Sequence, residues 1–129
     1  MSAIKGLLAG FGVLLAISCA AQTVDAPFLA VTAGNLAATS LDAYTTLALV
    51  GHTKSCPYEE WNSDLYGTKP EAPRTIAVMG GFFAASALVS YGFKRHRIRI
   101  WKIPLWSAPQ AYLAYGHALG AVHNFRFCH

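Results

Sequence analysis

The chain has 129 residues, of which 54% are hydrophobic and 12% are charged, with a net charge of +4. A typical soluble domain has about 25% charged residues, so this chain has too few charges to cover a water-exposed surface. Its length fits one domain over residues 1–129. Composition therefore argues against a water-soluble protein and predicts an integral membrane domain.

Four apolar stretches follow one another along the chain, at residues 6–22, 28–50, 75–93 and 104–125. A helix that crosses a bilayer needs roughly 17–25 residues, and all four meet that length. We therefore expect an all-α membrane bundle of three to four transmembrane helices. The segment between the second and third stretches, residues 51–74, is predicted to be an extracytoplasmic loop.

The first stretch, residues 6–22, allows three interpretations. Gly6 and Gly10 give a small-residue packing face, as in a retained first transmembrane helix. Small residues near Ala20 also fit a cleaved secretory signal peptide. Cys19 follows a short apolar run, as in a lipoprotein signal whose cysteine is acylated. All three interpretations remain open at this point.

A polar stripe interrupts the second stretch. Asn35, Thr39, Asp42 and Thr46 are spaced by four, three and four residues, so they share one face of a helix. A carboxylate at membrane depth costs roughly 2.5–3.5 kcal/mol on insertion scales. Asp42 is therefore expected to face protein rather than lipid and to have a polar partner.

Three short motifs resemble a known family. They are LDAYTT at residues 41–46, EWN at residues 60–62 and YGTKP at residues 66–70. Together they resemble a family of small uncharacterised bacterial membrane proteins with an Asp-x-x-Thr-Thr helix and a Glu-x-Asn-Pro loop. Ser63 stands where that family usually has proline. The resemblance implies a three- or four-helix membrane fold over about residues 38–125, and no chemistry.

Basic residues are concentrated in the connection at residues 94–102, which contains five lysines and arginines. The positive-inside tendency places this connection in the cytoplasm, which puts residues 51–74 and the C-terminal tail outside. Trp101 and Trp106 fit an aromatic belt at the membrane surface. We interpret the basic run as a topology anchor that contacts lipid headgroups, not as a nucleic-acid site. Pro104 is expected to open the last helix, and Pro109 to kink it or mark its true start.

The last stretch carries a second polar stripe, formed by Gln110, His117 and Asn124 at seven-residue spacing. Asp42 and His117 both lie roughly 4–5 Å beyond the middle of their helices at 1.5 Å per residue, displaced towards the same side. Gly116 and Gly120 form a G-x-x-x-G contact face beside this stripe. We therefore expect one buried polar contact made by Asp42, His117, Asn35, Thr39, Gln110 and Asn124.

Three roles are open for this contact. It could be an interhelical hydrogen bond that fixes packing, a proton or ligand site, or a site where His117 ligates haem or a chlorophyll-type pigment. No second axial ligand or cofactor-attachment motif accompanies His117.

The cysteines suggest a disulfide between Cys56 in the loop and Cys128 in the tail, because both are predicted to face an oxidising compartment. Free thiols are the alternative. A metal site is also conceivable from ligands of suitable type, but no C-x-x-C or H-x-x-x-H spacing supports it, and no metal is predicted. The candidate metal ligands are His52, Cys56, Glu59, Glu60, His123, Cys128 and His129.

The sequence therefore predicts a non-enzymatic, multi-pass protein of the bacterial inner membrane, with no resident cofactor. Its partners would be lipids and a larger membrane complex or further copies of itself, and its role that of a structural or accessory subunit. The alternative is a membrane site protein built around Asp42 and His117, either a proton-coupled carrier or a holder of haem or pigment.

Overall fold

The structure, a computed structural model, describes residues 23–50, 63–67 and 69–128. These residues form three long helices, one short helix and a two-stranded hairpin. In chain order the elements are α1 (Ala26–Leu49), α2 (Ser63–Tyr66), α3 (Ala72–Arg95), β1 (Arg99–Ile100), β2 (Ile103–Pro104) and α4 (Ala108–Phe127). The all-α prediction is confirmed for the described part of the chain. The predicted first segment, residues 6–22, and most of the 51–74 loop lie outside it.

Each long helix begins where its sequence provides a start signal. The side chain of Asp25 accepts a hydrogen bond from the backbone N–H of Phe28 at 3.0 Å and caps α1. Proline lies in the first turn of α1, α3 and α4, where its missing N–H breaks no helical hydrogen bond. Pro109 therefore marks the start of α4 and does not kink it.

The prediction that Pro104 opens the last helix is wrong. Pro104 is the last residue of β2, where it pairs with Arg99 of β1. The connection at residues 94–102 thus leads into a hairpin, and α4 begins four residues later than Pro104. Proline is tolerated there because a strand of such a small hairpin is an edge strand.

Aromatic contacts at one end of the bundle show how the helices run. Phe28, near the start of α1, lies 6.5 Å from Tyr91 near the end of α3 and 6.1 Å from Trp106 just before α4, measured between ring centroids. Lys94 at the end of α3 forms an ion pair with Asp25 and lies 4.3 Å above the Trp106 ring. Therefore α1 and α4 run in the same direction, and α3 runs antiparallel to both.

The ion pair also affects the titration of Asp25. A hydrogen bond from the Lys94 ammonium, supported by the backbone N–H of Phe28, holds the pKa of Asp25 below its usual value. Because Lys94 also lies over aromatic rings, this contact connects the starts of α1 and α4 to the end of α3.

The bundle buries polar side chains and exposes apolar ones, the reverse of a water-soluble protein. Among the described residues, 11 polar or charged side chains are buried, and 20 large hydrophobic side chains are exposed. Besides Pro70, the buried apolar residues of this part of the chain are Phe28, Met79, Ala121 and Cys128. In a water-soluble protein the fully buried residues are mainly apolar, so this bundle is built around a polar interior.

One helix of the described residues, α3, is long and apolar enough to cross a membrane by length and composition. Within its most apolar window 11% of the residues are buried. Helices α1 and α4, with 24 and 20 residues, have a sufficient length, but their polar stripes lower their mean hydropathy. The structure is thus compatible with membrane insertion.

Candidate functional site

The centre of the bundle contains a direct contact between Asp42 of α1 and His117 of α4. The Asp42 Oδ2 atom lies 2.7 Å from His117 Nδ1, and both side chains are buried. With Asp42 ionised, the Nδ1–H of His117 donates to the carboxylate, and Nε2 then carries either a lone pair or a second proton. The structure thus brings together the two residues that sequence spacing placed at matching depth.

Gly120 provides the space for this contact. A Cβ atom at Gly120 would lie 2.7 Å from Oδ1 of Asp42 and 3.1 Å from its carboxyl carbon. Only a residue without a side chain lets α4 approach the carboxylate this closely. Gly116, one turn earlier, differs, because a Cβ there would meet nothing within 4 Å. The two glycines of the G-x-x-x-G motif therefore have different surroundings.

On the C-terminal side of the pair, Asn124 connects α4 to α1 again. Its Nδ2 donates to the hydroxyl of Thr45 at 3.1 Å and to that of Thr46 at 3.2 Å. Thr45 in turn donates to the backbone carbonyl of Asp42 at 3.1 Å. Asn124 thus belongs to the same polar interface as Asp42 and His117.

On the N-terminal side, the polar interface extends to α3. Asn35 donates from Nδ2 to the Ser86 hydroxyl at 3.0 Å, and Thr39 donates to Oδ1 of Asn35 at 3.5 Å. Ser86 donates onward to the backbone carbonyl of Phe83 at 2.8 Å. We call the set formed by Asn35, Thr39, Asp42, Thr45, Thr46, Ser86, His117 and Asn124 the polar column.

Gln110 is the predicted site residue whose side chain forms no hydrogen bond to the others. It is fully buried, two turns before His117, as Asn35 lies two turns before Asp42, so the two amides are at similar depth. Both polar atoms of its amide have no hydrogen-bond partner within the described ranges. Within the same described ranges, the hydroxyls of Thr75 and Ser90 and Nε2 of His117 also have no hydrogen-bond partner.

Several contributors to this interior were not expected from the sequence, among them Thr45, which is fully buried and bonds both Asp42 and Asn124. On α3, Ser86 accepts a hydrogen bond from Asn35, and Thr75 is fully buried. Gly120 was assigned to a general contact face and not to Asp42. A signal existed for Ser86, because it is a polar residue inside an otherwise apolar helix, but its partner could not be read from spacing within one helix.

A groove of about 310 Å³ lies beside the polar column on the outer side of α4. Its described lining residues all belong to α4: Tyr112, Leu113, Tyr115, Gly116, His117 and Leu119. Tyr112 is 82% exposed and Tyr115 is 65% exposed. His117 thus lines this groove while its Nδ1 contacts Asp42.

The Asp42–His117 pair can exchange protons, form hydrogen bonds and ligate a metal through one nitrogen of His117. Within the described part of the chain, no group of three His, Cys, Asp or Glu side chains could hold a metal ion. A metal at His117 would therefore have to arrive with most of its ligands, as in a tetrapyrrole.

Cys128 is buried and disulfide-bonded. The two other cysteines of the chain, Cys19 and Cys56, lie outside the described residues. The pairing of Cys128 with Cys56 therefore stays a prediction, as do the roles considered for residues 6–22 and for the loop ligands His52, Glu59 and Glu60.

Comparison with protein families, with curated proteins and with solved structures found no match to this chain.

Proposed function

We propose that this chain is a multi-pass membrane protein that acts as a structural or accessory subunit of a larger membrane assembly. The observation that carries the proposal is the inverted burial, in which polar side chains meet inside the bundle and apolar side chains cover its outside. In a bilayer, polar groups must find partners within the protein, whereas apolar side chains contact lipid without cost. The same arrangement in water would expose a large apolar surface.

In this proposal α1, α3 and α4 all cross the membrane. The polar column supports this for α1 and α4, because its residues on these two helices, which lower the hydropathy of both, are buried. Asn35, Asp42, His117 and Asn124 are each at most 8% exposed, whereas Leu36 and Val122 on the outer faces are 50% and 51% exposed. Each of these helices thus presents an apolar surface to its surroundings.

The proposed location is the bacterial inner membrane, with residues 94–102 in the cytoplasm. The excess of basic residues in this connection supports the orientation. It follows that residues 51–74 and Cys128 face the opposite, oxidising side, where a Cys56–Cys128 disulfide would be stable. The short motifs at residues 41–46 and 60–70 support membership of the family of small bacterial membrane proteins that they resemble.

The face proposed to bind a partner is the groove on α4. Tyr115 lies within one turn of the middle of α4 and is exposed there, so its hydroxyl would face the hydrocarbon region if only lipid covered it. Unpaired polar groups are costly at that depth. Gly116 has free space where a side chain would lie, and it is flanked by exposed Tyr112 and Leu119. This part of the groove is therefore a notch that a neighbouring transmembrane helix can fill. A partner helix would cover the notch and supply hydrogen bonds to the tyrosines.

A photo-crosslinking amino acid placed at Leu119 tests this function in intact membranes. We expect a discrete crosslinked species containing a larger membrane protein, identified by mass spectrometry. Filling the notch with Gly116→Leu should abolish this species. Gly81→Leu is the matched control, because Gly81 is also exposed and open but lies on α3, and it should leave the crosslink unchanged.

Two results would contradict the proposal. The first is a probe at Leu119 that crosslinks only to lipid. The second is a crosslink that survives Gly116→Leu but not Gly81→Leu. Crosslinks found only between two copies of this chain would contradict the larger assembly and indicate a homo-oligomer.

A second candidate function is a membrane site protein built around Asp42 and His117. The observation that favours it is the buried Nε2 of His117, which has no partner in the described ranges while Asp42 orients the ring through Nδ1. Carboxylate-oriented histidines are common at metal and proton sites. An absorption spectrum of the natively purified protein tests whether the protein holds haem or pigment. A visible band lost in His117→Leu would favour the site protein.

A further inference from the structure

The hairpin between α3 and α4 exposes an apolar tip. Ile100 of β1 pairs with Ile103 of β2, which leaves Trp101 and Lys102 as a two-residue turn. Trp101 is 98% exposed, and both isoleucines are 65% exposed. The backbone N–H of Leu105 donates to the carbonyl of Ile98 at 3.1 Å and closes the base of the hairpin. Three large apolar side chains thus lie together at the end of a short hydrogen-bonded support.

The turn residue itself has an unfavourable backbone. Trp101 has a φ of 57°, in the left-handed region that glycine adopts readily and other residues avoid. Glycine is the usual residue at the first position of a two-residue turn of this kind. A tryptophan in this position presents its ring at the point farthest from the helices, where a glycine would present no side chain.

Exposed basic residues lie in the hairpin and in the chain that leads into it. Arg95, Arg97, Arg99 and Lys102 are all exposed, and none of them forms an ion pair with another described residue. Lys94 differs, since it is bound to Asp25 below the hairpin. No acidic residue occurs in the sequence after Glu71, so nothing in the second half of the chain neutralises these charges.

We propose that this hairpin is a binding element for anionic phospholipid, with Trp101, Ile100 and Ile103 inserted at the headgroup boundary and the basic residues contacting the phosphates. The inference rests on the proposed function, because the hairpin joins the ends of two helices proposed to cross the bilayer and so lies at its surface. Tryptophan favours this boundary because its ring is apolar and its N–H is polar. Two isoleucines beside it favour lipid over nucleic acid, whose bases stack on aromatic rings.

The test uses the full-length protein in nanodiscs of phosphatidylcholine and phosphatidylglycerol, with one or the other lipid brominated. Bromine quenches nearby tryptophan, and the contribution of Trp101 is obtained as the difference between the wild type and Trp101→Phe. We expect brominated phosphatidylglycerol to quench Trp101 more strongly than brominated phosphatidylcholine at equal mole fraction. Arg99→Gln should lower this preference roughly fivefold, the effect expected for one basic residue near an anionic surface.

Arg126→Gln is the matched control, because Arg126 is an exposed arginine in the last turn of α4, at the end of the bundle away from the hairpin. It should leave the preference unchanged. Equal quenching by both lipids would overturn the proposal, as would no quenching of Trp101 or an equal effect of the two arginine substitutions. Protection of Trp101 by an RNA oligonucleotide without any lipid preference would overturn it in favour of a nucleic-acid partner.

These outcomes are distinct from failure of the proposed function. A protein that stays in solution without detergent and does not enter nanodiscs overturns the membrane proposal and this inference together. A protein that reconstitutes normally but shows no preference for the anionic lipid overturns only the inference about the hairpin.

Discussion

Replacing Gly120 by alanine adds one methyl group at the closest approach of α4 to Asp42. The new Cβ would lie 2.7 Å from Oδ1 of Asp42, shorter than a carbon and an oxygen can tolerate. Asp42 is a short side chain, so it can avoid the methyl group only by rotating away from His117 or by moving with α1. Either response breaks the 2.7 Å contact between Asp42 and His117.

The magnitude follows from the contacts at risk. If α4 moves away from α1, the two hydrogen bonds from Asn124 to Thr45 and Thr46 are also lost. Interhelical polar contacts in membrane proteins average about 0.6 kcal/mol each, so three give about 2 kcal/mol. Alanine offsets about 1 kcal/mol of this, because it favours a helix more than glycine does.

Gly116→Ala isolates the steric effect. Its Cβ enters open space, so this variant gains the helix propensity without the clash. We therefore expect Gly120→Ala to be about 2 kcal/mol less stable than Gly116→Ala. Reversible unfolding in mixed micelles of a mild detergent and sodium dodecyl sulfate, followed by circular dichroism, measures the difference. Equal stability of the two variants would refute the close approach of Gly120 to Asp42.

Three further predictions concern the polar column, the tail and the bundle end. If the Asp42–His117 contact is structural, Asp42→Asn should lower the free energy of unfolding by no more than about 0.6 kcal/mol, measured in the same micelles. A large loss of pigment binding or transport in a stable Asp42→Asn protein would instead favour the membrane site protein. When the unreduced protein is alkylated, Cys56 and Cys128 should remain unmodified and linked, as measured by intact-mass and peptide analysis. The chain-entropy model gives this disulfide a stabilisation of roughly 4 kcal/mol, before any restriction of the unfolded chain by the membrane. Alkylation of both cysteines would contradict the disulfide. Lys94 holds the pKa of Asp25 below its usual value of 3.8. The stabilisation by this ion pair should therefore be complete above pH 3.8 and be lost as pH falls through the lower pKa of the folded state. The thermal stabilities of the wild type and Asp25→Asn should differ near neutral pH and converge in acid, and a difference that is independent of pH would contradict this prediction.

The sequence anticipated the centre of the candidate site because helical spacing is a strong constraint. Asp42 and His117 each lie on a polar stripe, and a fixed rise per residue allows their depths to be compared from their positions in the sequence. Gln110 lies on the same stripe and is buried, yet its amide forms no hydrogen bond to the other site residues. Spacing fixes the face of a helix and the depth of a residue, but not the rotamer that makes a hydrogen bond.

The connection at residues 94–102 was harder to predict. Strands of two residues have no alternating pattern, and the left-handed residues of this connection are Arg97 and Trp101, neither of which signals a turn. Proline was also ambiguous, since Pro104 and Pro109 are both compatible with a helix start, and only the fold distinguishes which one begins α4. Gly116 and Gly120 form one motif in sequence, and the position of α1 alone distinguishes their roles.

In the proposed membrane fold, the apolar faces of three helices contact lipid around a polar interior. Spin labels on single cysteines at Leu36, Phe82 and Val122, in a background lacking the native cysteines, test it in nanodiscs. We expect oxygen, which dissolves in lipid, to relax all three labels far more than a water-soluble nickel complex does, with the reverse at Lys69 outside the helices. Stronger relaxation by the nickel complex at Leu36 or Val122 would show that α1 or α4 faces water and would overturn the membrane fold.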